Sequence, residues 1–375
     1  MKKTILLSVL LCTMSTIPVL AQSDHGATKL LISGHTTVTA VMDSGQNNIS
    51  DANFSAIFLY QLSEKLFLES EIEIQTGGGS PEIGLEHANL VWMIGRNIAF
   101  HAGRFVPHFG LYRGRLAEGF MNRFATDPVG FGDGGIGTMI GVGFGLQGGF
   151  PLGVSKMNYD VWVTDGPQLL TDGSDAGQFE YESYTDNNKN KALGGRIGFL
   201  PFSNSCLELG VSYETTTKAG DQYSPFENVG VRMMAIDANF YHTIAPIKST
   251  LRVTGEYKKQ DVDKVDYPVE GDTTGLTYSF DNSSNAYYVS ASLRPGGVDN
   301  AVLRNFEIAY RYSKFKTPNR ALWANYDPNT GANIPVTRTA IALNYWLKWN
   351  CVLKLAYQTE TNMTNKIFVQ MYYGF

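Results

Sequence analysis

Long apolar runs are what this chain most lacks. A helix that crosses a bilayer needs about 20 consecutive apolar residues, and nothing beyond the first residues offers them. The nearest stretch, 137–154, is glycine-rich and alternating. Cysteine is scarce too, at three. Cys12 falls in an apolar leader, while Cys206 and Cys351 fall in separate predicted strands, so no disulfide framework is expected. The six histidines include no close pair at the helical spacing of a zinc hydrolase. A Gly-x-Ser-x-Gly elbow is missing. Gly143-Phe144-Gly145-Leu146-Gln147-Gly148 spells a dinucleotide fingerprint, but a turn follows it (Pro151-Leu152-Gly153) where that motif requires a helix. Charge is nearly balanced, 30 Lys and Arg against 35 Asp and Glu. No cofactor, metal or nucleic-acid partner is expected.

Aromatic residues are what the chain has in plenty. There are 20 Tyr and 21 Phe, yet the mean hydropathy is only −0.14. Many aromatics, modest hydropathy and no apolar helix together suit a membrane β-barrel, in which only every second residue meets lipid. The basic Met1-Lys2-Lys3, the apolar run that follows and the small residues around Val19-Leu20-Ala21 read as a secretory signal peptide, residues 1–21. Residues 22–375 read as one domain.

Alternating segments follow one another from Lys29 to the last residue, about sixteen of them, an even number as in single-chain barrels. The third is the clearest. Leu66, Leu68, Ile72 and Ile74 point one way, and Glu69, Glu71, Glu73 and Gln75 the other. Connections at Ser63, Gly95, Pro151, Pro201, Ala245, Pro295 and Trp349 are short. Those after the fifth, seventh, ninth, eleventh and thirteenth strands are long and polar. Short periplasmic turns and long extracellular loops produce this sorting. The reading is an all-β, transmembrane antiparallel β-barrel of about sixteen strands, wide enough to hold water.

Taking the apolar parity as lipid-facing assigns Glu69, Glu71, Glu73, His101, Arg252, Lys258, Arg294, Arg311 and Lys354 to the lumen. The longest loop, 107–136, carries Arg113, Arg115 and Arg123 and leads into a strand with Gly141, Gly143 and Gly145 on one face. Glycines in a strand mark close approach of other backbone, so the loop is expected to fold inward onto that floor. The three arginines, His101 and the glutamate row would then form the constriction. Arginine in a pore favours anions and glutamate favours cations. Arg104 falls on the lipid parity and needs a bulge.

The segment Gly103-Arg104-Phe105-Val106-Pro107-His108-Phe109-Gly110, placed after a strand and before a long loop, resembles the phosphate-selective porin O and P family. That resemblance implies an outer-membrane channel for passive diffusion, often a homotrimer, narrowed by the loop after strand five. His108 interrupts the family's Pro-Phe-Gly, and its lysine and arginine ladder is missing. The expected function is therefore a porin for small hydrophilic solutes or ions, with an anion preference left to the loop arginines. The alternative is a non-conducting subunit of a larger envelope complex. Its docking surfaces would lie at Phe179–Tyr184 and Leu322–Asn329.

Overall fold

The computed structural model describes residues 30–375 apart from 44–45, 77–80, 133, 183–184, 270, 273, 319–325 and 331. The expected signal peptide and Cys12 lie outside these residues. Sixteen strands form one closed antiparallel barrel. They are β1 (Leu30–Asp43), β2 (Gln46–Ser63), β3 (Leu66–Gln75), β4 (Glu82–Met93), β5 (Ile98–Phe105), β6 (Gly141–Leu152), β7 (Ser155–Thr164) and β8 (Ala192–Leu200). The second half comprises β9 (Leu207–Thr216), β10 (Val231–Ile244), β11 (Ser249–Val262), β12 (Ser283–Arg294), β13 (Phe306–Lys316), β14 (Val336–Lys348), β15 (Cys351–Glu360) and β16 (Lys366–Gly374).

Each strand pairs with its neighbour in the chain, and β1 closes on β16 from His35 opposite Gly374 to Met42 opposite Ile367. The last residue secures the seam. Its N–H donates to the Gly34 carbonyl at 2.9 Å, and its own carbonyl accepts from the Gly34 N–H at 3.1 Å and the Ser33 hydroxyl at 2.7 Å. A sheet in hydrocarbon must close in this way, because no water is there to satisfy an open edge.

Side chains alternate between the two faces of a strand, and here the alternation is inside out. In β9, Leu209, Val211 and Tyr213 are 46%, 59% and 50% exposed, whereas Glu208, Ser212 and Glu214 are buried. In β15, Leu353, Leu355 and Tyr357 face outward, and Lys354 and Gln358 face in. Apolar out and charged in is the order lipid demands.

The connections sort by length as expected. One end carries 64–65, 94–97, 153–154, 201–206, 245–248, 295–305 and 349–350, and the other carries 106–140, 165–191, 217–230, 263–282 and 317–335 together with shorter links after β1, β3 and β15. A departure occurs after β1, where β2 starts at Gln46 opposite Asp43 rather than at Phe54.

The lumen is only partly wet. Leu169, Phe179, Tyr181, Val229 and Tyr267 of the long connections bury with Phe109, Phe131 and Met139 against Trp162, Met233 and Tyr288 of the wall. The mouth on the β7–β12 side is thus filled by an apolar core. This corrects the expected docking surface at Phe179–Tyr184, because Phe179 and Tyr181 turn inward. Of the other, 322–329, residues 322–325 lie outside the described residues.

Candidate functional site

Connection 106–140 enters the lumen, and its sequence explains how. Pro107 cannot donate to the ladder, which ends β5. Gly110 has φ +75°, and a Cβ there would land on the Glu256 carboxylate, so the bend requires glycine. The Gly110 N–H donates to Ser212 Oγ at 3.0 Å, and those of Leu111 and Tyr112 donate to Glu256 Oε2 at 3.1 and 2.8 Å. One wide helical turn, Tyr112–Leu116, follows. Lys258 Nζ lies 3.7 Å from Glu256 Oε1 and donates to the Ile136 carbonyl at 3.1 Å. This buried carboxylate is thereby matched by a cation and two N–H donors, as a charge out of water must be.

A second row of wall residues holds the loop's return. Arg311 donates to the Thr126 carbonyl at 2.7 Å, Arg338 to that of Asp127 at 2.7 Å, Lys354 to that of Phe124 at 3.1 Å and Asn344 to that of Arg123 at 3.1 Å. The loop therefore packs on β9–β15, not on the glycine-bearing β6. There the expected floor is taken up by neighbours: the His101 ring lies against Gly145, and β7 backbone against Gly143.

The loop leaves open a polar cavity of about 320 Å³ against β1–β4, and another of about 330 Å³ beside His108, Arg115 and Asp160. In the first, the wall side carries His35, Glu71, Glu73, Glu86 and His87, the loop side Arg113, Glu118 and Asp127, and Glu182 comes from connection 165–191. His87 Nδ1 is 3.3 Å from Glu71 Oε2, and its Nε2 is 3.7 Å from Glu69 Oε1. The Ser55 hydroxyl also donates to Glu71. Glu118 Oε2 lies 3.8 Å from His35 Nδ1. Burial among protein atoms, followed by the charge of Glu71, pushes the Glu118 carboxyl up to about 7, although the side chain is 54% exposed.

The expected constriction is only partly assembled. Arg113 faces the glutamate row, 3.7 Å from Glu182 Oε1. Arg115 turns away, and its Nη1 donates to both carboxylate oxygens of Glu208 at 2.9 and 3.0 Å. Arg123 pairs with Glu307 at 3.3 Å. His101 is on the lumen side, as its parity requires, but is 4% exposed, with its ring against Phe105 and Nε2 3.7 Å from Asp160 Oδ1. It belongs to the wall behind the loop. Glu71 and Glu73 line the β1–β4 cavity, and Glu69 reaches it through His87. Lys258, Arg311 and Lys354 hold the loop, while Arg252 and Arg294 lie in the β10–β14 sector. Arg104 reaches a buried position just after Gly103, whose φ is +138°, and donates to the Leu85 carbonyl at 3.0 Å. The backbone departs from a regular strand where the parity argument needs it to.

No protein-family model matches the chain, and no curated protein matches it in sequence. Solved structures do match. OmpF of Salmonella typhi in complex with daunomycin superposes with TM-score 0.58 at 13% identity, covering 95% of this chain and 100% of that one. The fold is that of a porin. The outer membrane channel DcaP of Acinetobacter baumannii gives 0.55 at 13% identity, covering 94% and 99% of the two chains. An anion-selective porin from Comamonas acidovorans gives 0.52 at 13%, covering 93% and 100%. At such identities the porin fold is shared and the lining residues are this chain's own.

Proposed function

We propose that this protein is an outer-membrane porin, exported by its N-terminal signal peptide, that passes small hydrophilic solutes and ions by passive diffusion. The observation that carries the reading is the inward loop, which packs on β9–β15 and leaves a polar cavity of about 320 Å³ along β1–β4. A wall built only to be filled would have no reason to keep charged side chains facing that gap. Outer-membrane lipid is its partner on the apolar belt, and a homotrimer follows the resemblance to the phosphate-selective family.

The charge preference follows the passage and not the loop's arginine count. Glu71, Glu73, Glu86, Glu118, Asp127 and Glu182 line it, against Arg113 and two histidines. Carboxylates in a pore raise the local concentration of cations. An anion preference would need Arg115 and Arg123 there, and both are paired to wall carboxylates elsewhere. The test is a planar bilayer: the purified mature protein should give discrete open-channel steps that scale with salt concentration. A folded barrel that stays silent would shift the reading to the structural subunit.

A further inference from the structure

The mouth of the barrel holds a second kind of lining, polar and nearly free of charge. A cavity of about 410 Å³ opens there between the loop's return at 134–136, connection 165–191 and the mouth-side ends of β11, β12 and β13. Sites for small molecules span roughly 300–1,000 Å³. No Lys, Arg or His lines it, and among the described residues Asp175 is the one charged group on the lining. Gln178 Nε2 donates to that carboxylate at 3.3 Å.

Three buried polar side chains face one another across the wall. Gln260 stands directly opposite Ser284 in the β11–β12 pair. Asn282 extends the pairing, its carbonyl accepting from the Val262 N–H at 3.0 Å. All three line the cavity and are only 5% or 6% exposed. Each amide is oriented by a bond at one end. The Tyr181 hydroxyl donates to Gln260 Oε1, which leaves the Gln260 N–H groups free. Asn282 Nδ2 donates to the Gly177 carbonyl at 2.7 Å, which leaves its Oδ1 free. The Ser284 hydroxyl has no hydrogen-bond partner among the described residues. None of these three free groups is sealed off from the cavity. A donor, an acceptor and a hydroxyl able to act as either thus lie side by side. Three rings complete the lining, Phe179 and Tyr181 from the connection and Phe315 from β13.

An apolar solute would leave the amides unpaired, which is costly. A charged one would find no opposite charge to match it. A sugar satisfies both halves of the lining: its vicinal hydroxyls donate and accept around the edge, and its C–H face packs on aromatic rings. We propose that this cavity binds a neutral saccharide, with Gln260, Asn282 and Ser284 holding its hydroxyls and the rings covering its C–H face. Tyr181 borders this cavity, and the next residue, Glu182, borders the one along β1–β4. The site is therefore a place of capture beside the acidic route. That role rests on the porin reading, whereas binding itself needs no conduction.

The test is calorimetry on the purified barrel in a detergent without a sugar headgroup, titrated with maltose, lactose and cellobiose, and with glucuronate as the charged control. At least one disaccharide should bind saturably, and glucuronate should not. Ser284→Ala and Phe315→Leu should each weaken that binding on the order of fivefold. The serine variant, which loses only a hydroxyl, serves if the ring variant folds poorly. No saturable binding of any of the three sugars, or unchanged binding in both variants, would overturn the site. Glucuronate binding as tightly as the disaccharide would overturn the neutral class. A barrel that binds sugar and stays silent in a bilayer keeps the site and removes the channel, and one that conducts without binding does the reverse.

Discussion

Glu256 fixes the loop more than any loop residue does. Its carboxylate accepts from two consecutive loop N–H groups and faces Lys258, all in the buried lumen. Breaking a buried charge arrangement by removing one partner costs about 3–5 kcal/mol. Glu256→Ala is therefore expected to lower stability by about that much in chemical denaturation. It should also raise single-channel conductance, because the loop edge at Tyr112 loses its tether. Unchanged conductance would mean that other contacts place the edge. Glu118 carries the pH dependence. Raised to about 7 by burial and Glu71, it is neutral at pH 5 and charged at pH 8. The other titratable and charged groups around it are His35, Glu73, Glu86, His87, Arg113, Asp127 and Glu182. Cation preference should grow as pH rises through 7, and Glu118→Gln should flatten that rise when reversal potentials are compared from pH 5 to 8. The sign for stability is the opposite one. A carboxyl raised in the folded state is most favourable below its ordinary value near 4.5, and that contribution is lost as pH rises through 7.

The strands were legible as elements because their signal is local. Leu66, Leu68, Ile72 and Ile74 against Glu69, Glu71 and Glu73 fixes which face is wet without any knowledge of partners, and β3 follows it. The loop's inward fold could be suspected from its length, but its address could not. Gly110 meets Ser212 across 102 residues and Leu111 meets Glu256 across 145. Nothing near residue 110 announces either partner. Parity placed His101 correctly on the lumen side, yet it could not reveal that Phe105 and Asp160 would cover it. The three loop arginines look alike in sequence, and their carboxylate partners separate them. Arg113→Ala should increase cation preference, because it removes a fixed cation from the passage. Arg115→Ala and Arg123→Ala should change it far less, since their charges are held by Glu208 and Glu307. Equal shifts for all three in a salt gradient would return them to one shared constriction.

At the scale of the molecule, charge is sorted by sector. The β1–β4 wall is acidic and faces water, β7–β12 carries the apolar core of the long connections, and β10–β15 is basic and holds the loop. A uniform lumen would give a channel whose preference follows its net charge. A sorted one gives a channel whose preference follows the wall beside the open path. Such selectivity is strongest at low salt, where charges are screened over a longer distance (about 10 Å at 0.1 M against 3 Å at 1 M). The measurement that tests this most directly is the zero-current potential of the reconstituted wild-type protein in a tenfold potassium chloride gradient near 0.1 M. The account predicts a cation-preferring sign that shrinks as both sides are raised toward 1 M. An anion-preferring sign would contradict it and place the conducting path along the basic wall.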